Sequence, residues 1–323
     1  AVPECIRSDV FISGQDGYHT YRIPALVVSQ RGTLLAFCEA RKESQADASP
    51  TDLVLRRSVD GGRSWLPTQV LFRGVGKEAL MNPCPVVDQT NKSILLLCER
   101  VNPAHPNHNE HFQLTSKDNG LTWSEPGNIG ARVANYNDSF NFGPGIGIQM
   151  RNGRLVIPGY TGVMNAEMDE EWFSRALYSD DFGKSWTLGP RVPQLSDECQ
   201  VAELNDGKLM LNVRGNMGKS CRGVAISSNG GESWSDFRWD HALNECPCQA
   251  SIIRYSWAGR GQKSRLLFAS PDNKGEKFNV VERTRMTVRL SYDEGKIWPV
   301  KRLIHAGPHR IPAWCGCPMA TLA

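Results

Sequence analysis

Three features are scarce in this sequence: long apolar runs, an excess of charge of one sign, and the usual metal-binding cysteine motifs. No stretch approaches the roughly 18 apolar residues that a membrane-spanning helix needs. The start, AVPECIRSDV, also lacks the charged and then apolar layout of a signal peptide. We therefore expect no transmembrane segment, and a secreted mature form left by a cleaved leader is the open alternative.

The charge balance argues against one class of partner. The chain has 37 basic and 34 acidic side chains, which gives a net charge of +3 at pH 7. Binding to nucleic acid or to an anionic membrane surface rests on a clear excess of positive charge. We therefore expect no nucleic-acid partner, and basic side chains that matter for function must be clustered locally.

The ten cysteines do not have metal-ligand spacing. Two pairs occur as C-x-C, in CPC from residue 246 and CGC from residue 315, without nearby histidines. We expect no zinc or other metal and no cofactor. Other cysteines lie in apolar runs such as LLAFCEA and ILLLCER, where a reduced thiol acts as a small hydrophobic group. This usage predicts free thiols and favours a reducing, cytoplasmic location.

What the sequence does contain is an internal repeat. Five segments match S-x-[DN]-x-G-x-x-W, and they begin at residues 58, 116, 179, 227 and 291. In a hairpin turn the Asp or Asn side chain bonds to its own backbone, and the glycine allows a positive φ. The tryptophan supplies a large apolar body that pins the turn to its neighbours. We interpret the acidic residues of these boxes as structural rather than catalytic.

The spacing of the boxes predicts the fold class. Strand-like runs such as DLVLRRS, RALYS and MTVRLS precede them, and the starts lie 48 to 64 residues apart, enough for a four-stranded sheet with its loops. We predict an all-β protein with one β-propeller domain over residues 1–305 and an atypical tail over 306–323. A sandwich or a solenoid is the alternative.

At this point the sequence resembles the sialidase (neuraminidase) family. The boxes are similar to its Asp-boxes, and YRIPAL (21–26), MNPCP (81–85), FGPG (142–145) and ECQVAEL (198–204) are similar to its other motifs. The resemblance runs to about residue 305. It implies a six-bladed β-propeller and an exo-α-sialidase that removes terminal sialic acids, with retention, from glycoproteins, glycolipids or oligosaccharides.

The resemblance also implies arginines for the substrate carboxylate. A sialic acid carries a carboxylate on its anomeric carbon, and arginine offers a planar fork of donors that pairs with it at two points. The family's three arginines correspond to Arg22, Arg222 and Arg283. Arg285 competes for the third place, and we choose Arg283 because it stands three residues before the apolar Met286, as in the family.

The leaving oxygen needs a proton, which retaining glycosidases supply from a carboxylic acid. The segment ARKESQADASPTD, between two strands, offers Glu43, Asp47 and Asp52. The resemblance gives the acid/base role to Asp47, while Asp52 begins the next strand and is typical of a turn. Arg41 in the same segment resembles a position that contacts the sugar carboxylate or ring.

The attacking group in this family is a neutral tyrosine hydroxyl activated by a glutamate, because a carboxylate would be repelled by that of the sugar. The resemblance assigns the base to Glu203 of ECQVAEL. Without the resemblance, Glu203 is equally an outward-facing strand residue. Asn82 and Tyr160 are candidates, from resemblance and polarity, for contacts to the N-acyl group or the glycerol arm.

The nucleophilic tyrosine itself is not found. It should follow the fifth box in a stretch like A-Y-S-x-L-x-x-L-P-D-G, but that place holds GPHRIPAWCGCPMATLA, and the last tyrosine, Tyr292, lies inside the box. We therefore expect an incomplete last blade, and a non-catalytic sialic-acid-binding propeller is the alternative function. Read one base back, the tail can encode Y-S-G-L-V-W-L-P-D-G, so we interpret it as a shifted reading frame; a divergent native tail is the rival.

Overall fold

The computed structural model describes residues 8–102, 109–136, 139–164, 170–215, 219–259, 261–273 and 283–308. These residues form β-strands and one short 3-10 helix, Gly130–Arg132. The all-β class predicted from the sequence is confirmed. Within the described ranges, no helix has the length and apolar character to cross a membrane.

The described strands form four sheets, of which the first joins two units through a single pair, Thr51 with Ala79. This gives five consecutive units, which we call meanders. The first contains β1 (Thr20–Val28), β2 (Leu34–Arg41), β3 (Thr51–Ser58) and β4 (Gln69–Phe72). The second contains β5 (Ala79–Asp88), β6 (Ser93–Val101), β7 (Asn109–Ser116) and β8 (Gly127–Asn128). The third contains β9 (Val133–Ala134), β10 (Phe140–Phe142), β11 (Ile148–Gln149), β12 (Leu155–Met164), β13 (Glu170–Ser179) and β14 (Trp186–Leu188). The fourth contains β15 (Ser196–Glu203), β16 (Leu209–Gly215), β17 (Cys221–Ser227) and β18 (Ser235–Asn244). The fifth contains β19 (Ser251–Ser256), β20 (Arg265–Pro271), β21 (Met286–Ser291) and β22 (Val300–His305).

The five meanders are arranged around a common axis. Their innermost strands line one cavity of about 280 Å³, to which the five meanders contribute Val27, Val87, Ile148, Ala202 and Ile253. This radial arrangement is that of a β-propeller, as the box spacing predicts. The incomplete sixth blade that the resemblance implies would involve residues 309–323, which lie outside the described residues.

Apolar side chains fill the space between neighbouring meanders. Successive residues of a strand point to opposite faces of its sheet, so one strand serves two core layers. On β6, Leu96 packs with Leu35 of the first meander, while Leu95 packs with Leu155 of the third. Strands in the middle of a meander are therefore buried on both faces, and all eight residues of β2 are buried.

Each box closes its own turn with the same hydrogen bonds. In the first box, the backbone N–H of Gly62 donates to Ser58 Oγ (2.8 Å), Ser58 Oγ donates to Asp60 Oδ1 (2.8 Å), and the N–H of Ser64 donates to the same Oδ1 (3.0 Å). The other four boxes repeat this pattern around Asp118, Asp181, Asn229 and Asp293. The Asp and Asn side chains of the boxes thus accept hydrogen bonds from backbone N–H groups of tight turns.

The direction of the strands gives the propeller two distinct ends. We call the end at which the innermost strands begin the upper end; it carries Arg22 of β1 and Glu198 of β15. The opposite, lower end carries Val28 of β1 and Glu203 of β15. The box turns lie at the lower end, because Ser58 pairs with Leu34, which in turn pairs with Val28.

Candidate functional site

An arginine pair and an aspartate meet at the upper end of the first meander. The loop between β2 and β3 carries Asp47, whose Oδ1 lies 3.0 Å from Arg22 Nη1 and 2.8 Å from Arg41 Nη2. The side chain of Arg41 is fully buried, whereas that of Asp47 is 68% exposed. The structure thus brings together three of the residues singled out in the sequence.

A buried glutamate that the sequence analysis did not single out holds Arg41. Glu39 Oε2 accepts hydrogen bonds from Arg41 Nε (3.1 Å) and Nη2 (2.6 Å), and neither side chain is exposed. Burial raises the pKa of Glu39, and the Arg41 guanidinium works against that rise. The signal available in the sequence was two charged residues, two positions apart, in the otherwise apolar strand LLAFCEAR.

Two innermost strands bend at matching places. Ile23 and Asn82, each followed by proline, have φ values of 55° and 50°. The pairing registers shift after Arg22 in β1 and after Met81 in β5. A β-branched residue at positive φ is a strained conformation, and such bulges re-aim neighbouring side chains. The bends accompany the residues Arg22 and Asn82 that the sequence analysis proposed for ligand contact.

Asn82 is held by two buried carboxylates. Its backbone N–H donates to Glu39 Oε1 (2.9 Å), and its side-chain Nδ2 donates to Glu99 Oε1 (2.7 Å). Burial raises the pKa of Glu99 to about 8. Glu99, like Glu39, was not singled out from the sequence, because a glutamate in the strand SILLLCERV gives no local sign of its partners.

The side chains described so far form a group at the upper end, namely Arg22, Glu39, Arg41, Asp47, Asn82 and Glu99. Tyr160 of β12 lies between this group and the fourth meander. Its ring lies 5.4 Å from that of Trp172 and is partly buried. Burial raises its pKa well above the usual value, and the nearby carboxylates of Asp197, Glu198 and Glu99 add to the rise. Tyr160 therefore lies close to acidic groups of both the second and the fourth meander.

The fourth meander contributes an arginine and two acids that were not predicted from the sequence. Arg214, next to the last residue of β16, lies 2.7 Å from Glu198 Oε2 and 3.5 Å from Asp197 Oδ2 through its Nη1 atom. Burial lowers the pKa of Arg214, but the carboxylates of Glu198 and Asp197 raise it by more, so the net shift is upward. Its Nε is a buried donor with no hydrogen-bond partner among the described residues.

Arg283 lies beside the same group. Its Nη2 donates to the carbonyl oxygen of Pro247 (3.0 Å). Burial raises the pKa of the neighbouring Cys248 thiol to about 12; the guanidinium groups of Arg283 and Arg214 lower it, and the Glu198 carboxylate raises it. One thiol thus has Arg283, Arg214 and Glu198 as electrostatic neighbours.

Arg222 does not open onto this group, contrary to the sequence-based expectation. Its side chain is fully buried, and its donors are taken by Asn212 Oδ1 (2.8 Å), Glu245 Oε1 (2.5 Å) and the carbonyl of Cys248 (2.9 Å). A guanidinium enclosed in this way cannot present a fork to a substrate. Its bonds to Asn212 instead brace the strand that carries Arg214.

Glu203 does not join the group either. It is the last residue of β15, five residues from Glu198 and therefore about 16 Å further along the strand, at the lower end. Its carboxylate accepts hydrogen bonds from the N–H (2.9 Å) and Nε (3.0 Å) of Arg151. Glu203, to which the resemblance assigned the role of base, therefore lies at the end of the propeller opposite to Asp47.

Tyr292, the last tyrosine of the sequence, also lies outside this group. Tyr292 is 38% exposed in the turn of the fifth box, where the ammonium of Lys263 lies 5.3 Å from its ring. Glu198 makes no hydrogen bond with a tyrosine hydroxyl in the part of the chain that the structure describes. The tail in which the family's tyrosine would be sought, residues 309–323, lies outside those ranges.

Comparison with known proteins identifies the family of the chain. A family model described as "BNR repeat-like domain" matches residues 19–313. The sialidase of Micromonospora viridifaciens is 32% identical over 329 residues, which cover 94% of this chain and 49% of that protein. Sialidase-4 of Mus musculus is 36% identical over 266 residues, covering 73% of this chain and 54% of the relative.

A solved structure, that of the Hadza microbial sialidase Hz136, superposes with a TM-score of 0.82 at 27% identity, covering 94% of this chain and 62% of that one. The chain spans about half the length of the curated relatives it matches first. With the repeat model, the relatives and the five-meander architecture in agreement, the chain belongs to the sialidase family of BNR repeat proteins.

Proposed function

We propose that this protein is an exo-α-sialidase that releases terminal sialic acids from glycoproteins, glycolipids or oligosaccharides. The observation that carries the proposal is the group at the upper end, where Arg22, Arg214 and Arg283 accompany the acids Asp47 and Glu198. These arginines come from three different meanders, so only the folded propeller assembles them. The assignment replaces Arg222 by Arg214 and Glu203 by Glu198.

The arginines supply the recognition. A carboxylate on the anomeric carbon is bound most strongly by guanidinium groups that are already fixed, because charge-assisted bonds then form without ordering long side chains. The side chain of Arg214 is 16% exposed, whereas that of Arg222 is fully enclosed, so it is the Arg214 guanidinium that such an acceptor can reach. We therefore assign the substrate carboxylate to the space between Arg22, Arg214 and Arg283.

Asp47 supplies the proton for the leaving oxygen. It lies on a loop, is largely exposed, and bonds both Arg22 and Arg41 through one carboxylate oxygen. A bound substrate carboxylate competes for the same guanidinium groups and so releases Asp47 toward the glycosidic oxygen. Proton transfer from Asp47 to that oxygen lets the aglycone leave as an alcohol.

Glu198 is the base of the proposed double displacement with retention. It takes the proton of a neutral hydroxyl nucleophile as that hydroxyl attacks the anomeric carbon, and Arg214 stabilises the Glu198 carboxylate before this step. In the second displacement Asp47 takes a proton from water as the water attacks the anomeric carbon, and Glu198 returns its proton to the departing oxygen of the nucleophile. In the family the hydroxyl belongs to a tyrosine after the fifth box. Residues 309–323 contain no tyrosine and lie outside the described ranges.

A non-catalytic sialic-acid-binding propeller is the second candidate. It is favoured by one observation, that no described tyrosine hydroxyl bonds to Glu198. Incubation with a fluorogenic aryl sialoside, together with calorimetry using free N-acetylneuraminic acid, separates the two. Turnover excludes the binding-only function, and binding without turnover excludes the hydrolase. If neither binding nor turnover is found, both candidates fail.

The cysteines support the proposed location. Those in the described residues are free and buried, as the sequence predicts for Cys38, Cys84, Cys98, Cys199, Cys221, Cys246 and Cys248. Buried free thiols are typical of proteins from reducing compartments. We propose a cytoplasmic location on this basis, and localisation of the tagged chain in its own cells tests it.

A further inference from the structure

The Glu99 carboxylate is the most isolated acid near the site. It is fully buried on β6, and the ion pairs found among the described residues do not include it. Taking an ionised carboxylate out of water without a cation costs several kcal/mol. Its stabilisation comes instead from two N–H donors, Asn82 Nδ2 (2.7 Å) and the backbone N–H of Phe142 (2.9 Å).

These two bonds decide how the Asn82 amide is oriented. An ionised Glu99 carboxylate can only accept hydrogen bonds, so in that state the NH₂ group of Asn82, not its carbonyl oxygen, faces Glu99, as it does in the structure. The backbone of Asn82 is fixed separately, by its N–H bond to Glu39 and by the bulge that gives it a φ of 50°. With the backbone N–H and one of the two side-chain N–H groups of Asn82 bound, the carbonyl oxygen Oδ1 is the one acceptor that the side chain still offers.

That oxygen is open to a ligand. Asn82 Oδ1 accepts no hydrogen bond from the described residues. This oxygen is also not fully buried, so solvent or a ligand can reach it. Its neighbours include Glu39, which also holds the Arg41 that contacts Asp47. The acceptor therefore stands in the same group as the proposed acid and arginines.

We propose that Glu99 is a positioning residue that fixes the amide of Asn82 with its carbonyl oxygen toward the ligand, so that the site demands a hydrogen-bond donor there. The proposal rests on the proposed function for the identity of the ligand, a sialic acid with hydroxyl and acylamino donors. The geometric part, the orientation of Asn82 by Glu99, does not depend on it.

Glutamine at position 99 tests the orientation. Gln has the shape of Glu but a single acceptor oxygen, so it cannot accept from both Asn82 and Phe142, and its own NH₂ group can turn the Asn82 amide around. Glu110→Gln is the matched control, because Glu110 lies on the adjacent strand β7 and pairs with Arg100. It makes the same chemical change away from Asn82.

Two measurements are made on both variants and on the unchanged protein. The first is the NMR signal of the Asn82 side-chain NH₂ group, identified by its loss in Asn82→Asp. We expect it to shift in Glu99→Gln and to stay in place in Glu110→Gln. The second is the affinity for a 2,3-dehydro sialic acid, which we expect to fall about tenfold in Glu99→Gln, the value of one hydrogen bond of about 1.4 kcal/mol.

A double variant shows whether Glu99 acts through Asn82. If it does, Glu99→Gln has no further effect on affinity once Asn82→Ala is present. An equal tenfold loss in both backgrounds overturns the proposal, as does an Asn82 signal that ignores Glu99→Gln. If the unchanged protein binds no sialic acid, the proposed function fails, and the NMR measurement still decides the role of Glu99.

The pH dependence of the same NMR signal is a further check. Ionisation of Glu99 should move it in the unchanged protein and not in Glu99→Gln. Other titratable groups around Glu99 could also contribute, and the variant separates their effects; they are Glu39 of β2, Cys84 of β5, Cys98 of β6, His111 of β7 and Tyr160 of β12. A pH-dependent shift of the same size and midpoint in Glu99→Gln and in the unchanged protein overturns the proposal.

Discussion

The upper and lower ends of the propeller contain similar residues but differ in what those residues have left to bind. At the upper end, Glu198 pairs with Arg214, whose Nε donor has no partner in the described residues. At the lower end, Glu203 pairs with Arg151, whose guanidinium also donates to two backbone carbonyls. Both pairs involve the same strand, β15.

The lower pair belongs to a group of side chains that bond one another at the lower end of the central cavity, which Glu203, Arg254 and Trp257 help to line. The guanidinium groups of Arg151 and Arg254 lie 4.2 and 4.8 Å from the ring centre of Trp257, and Arg254 also bonds Glu294 and the carbonyl of Glu203. Such contacts satisfy the cations within the protein. The two ends therefore differ in how far the partners of their arginines are supplied by the protein itself, and four predictions test what this difference means for ligand binding and stability.

The largest effect is expected from Arg222, because it is enclosed rather than exposed. Arg222→Met leaves the buried Glu245 carboxylate without its cation, which should lower the free energy of unfolding by about 3–5 kcal/mol. Thermal and urea denaturation measure the change. A loss below about 1 kcal/mol would show that Arg222 is not the internal brace that its contacts indicate.

The second prediction compares arginines of the two ends directly. Arg214→Met should weaken binding of a 2,3-dehydro sialic acid about 100-fold, because a fixed charge-assisted contact is lost. Arg151→Met removes the corresponding cation at the lower end and should change affinity less than twofold. Calorimetry measures both, and equal losses would refute the assignment of the site to the upper end.

The third prediction concerns a box at the lower end. Asp118→Ala removes the acceptor for the N–H of Thr122 (2.9 Å) and for the hydroxyl of Ser116 (2.9 Å). Loss of such a turn-closing side chain should cost about 1 kcal/mol of stability, by analogy with helix N-caps. Ligand affinity should stay unchanged, and a tenfold fall in affinity would contradict the structural role of the boxes.

The smallest effect is a change in the pH dependence of stability. Burial raises the pKa of Glu99 to about 8 from 4.5, so the folded protein holds a proton that the unfolded chain has lost between these values. The contribution of Glu99 to the free energy of unfolding is therefore fully present below pH 4.5 and is lost as the pH rises to about 8. Denaturation of Glu99→Gln should show a shallower fall over this window.

Glu245 contributes in the same direction, because burial raises its pKa to about 7. The slope should therefore be reduced and not abolished in Glu99→Gln. An unchanged slope would mean that Glu99 is already ionised throughout this range.

The sequence by itself determined the fold and the first meander's part of the site. Five boxes at regular spacing require tight turns, and the runs before them require strands, because Asp, Gly and Trp have local roles that do not depend on distant contacts. Arg22 and Asp47 were predicted through the resemblance to the sialidase family, because each lies in a short segment similar to one of its motifs.

Only the tertiary structure decided which of two similar residues lies in the group at the upper end. Glu198 and Glu203 stand in one strand, and Arg214 and Arg222 in adjacent strands, so local pattern cannot tell them apart. What separates them is position along the strand for the glutamates and enclosure by the Glu245 pair for the arginines. Both depend on residues distant in sequence, as does the carboxylate of Glu99 that holds Asn82 from a neighbouring strand.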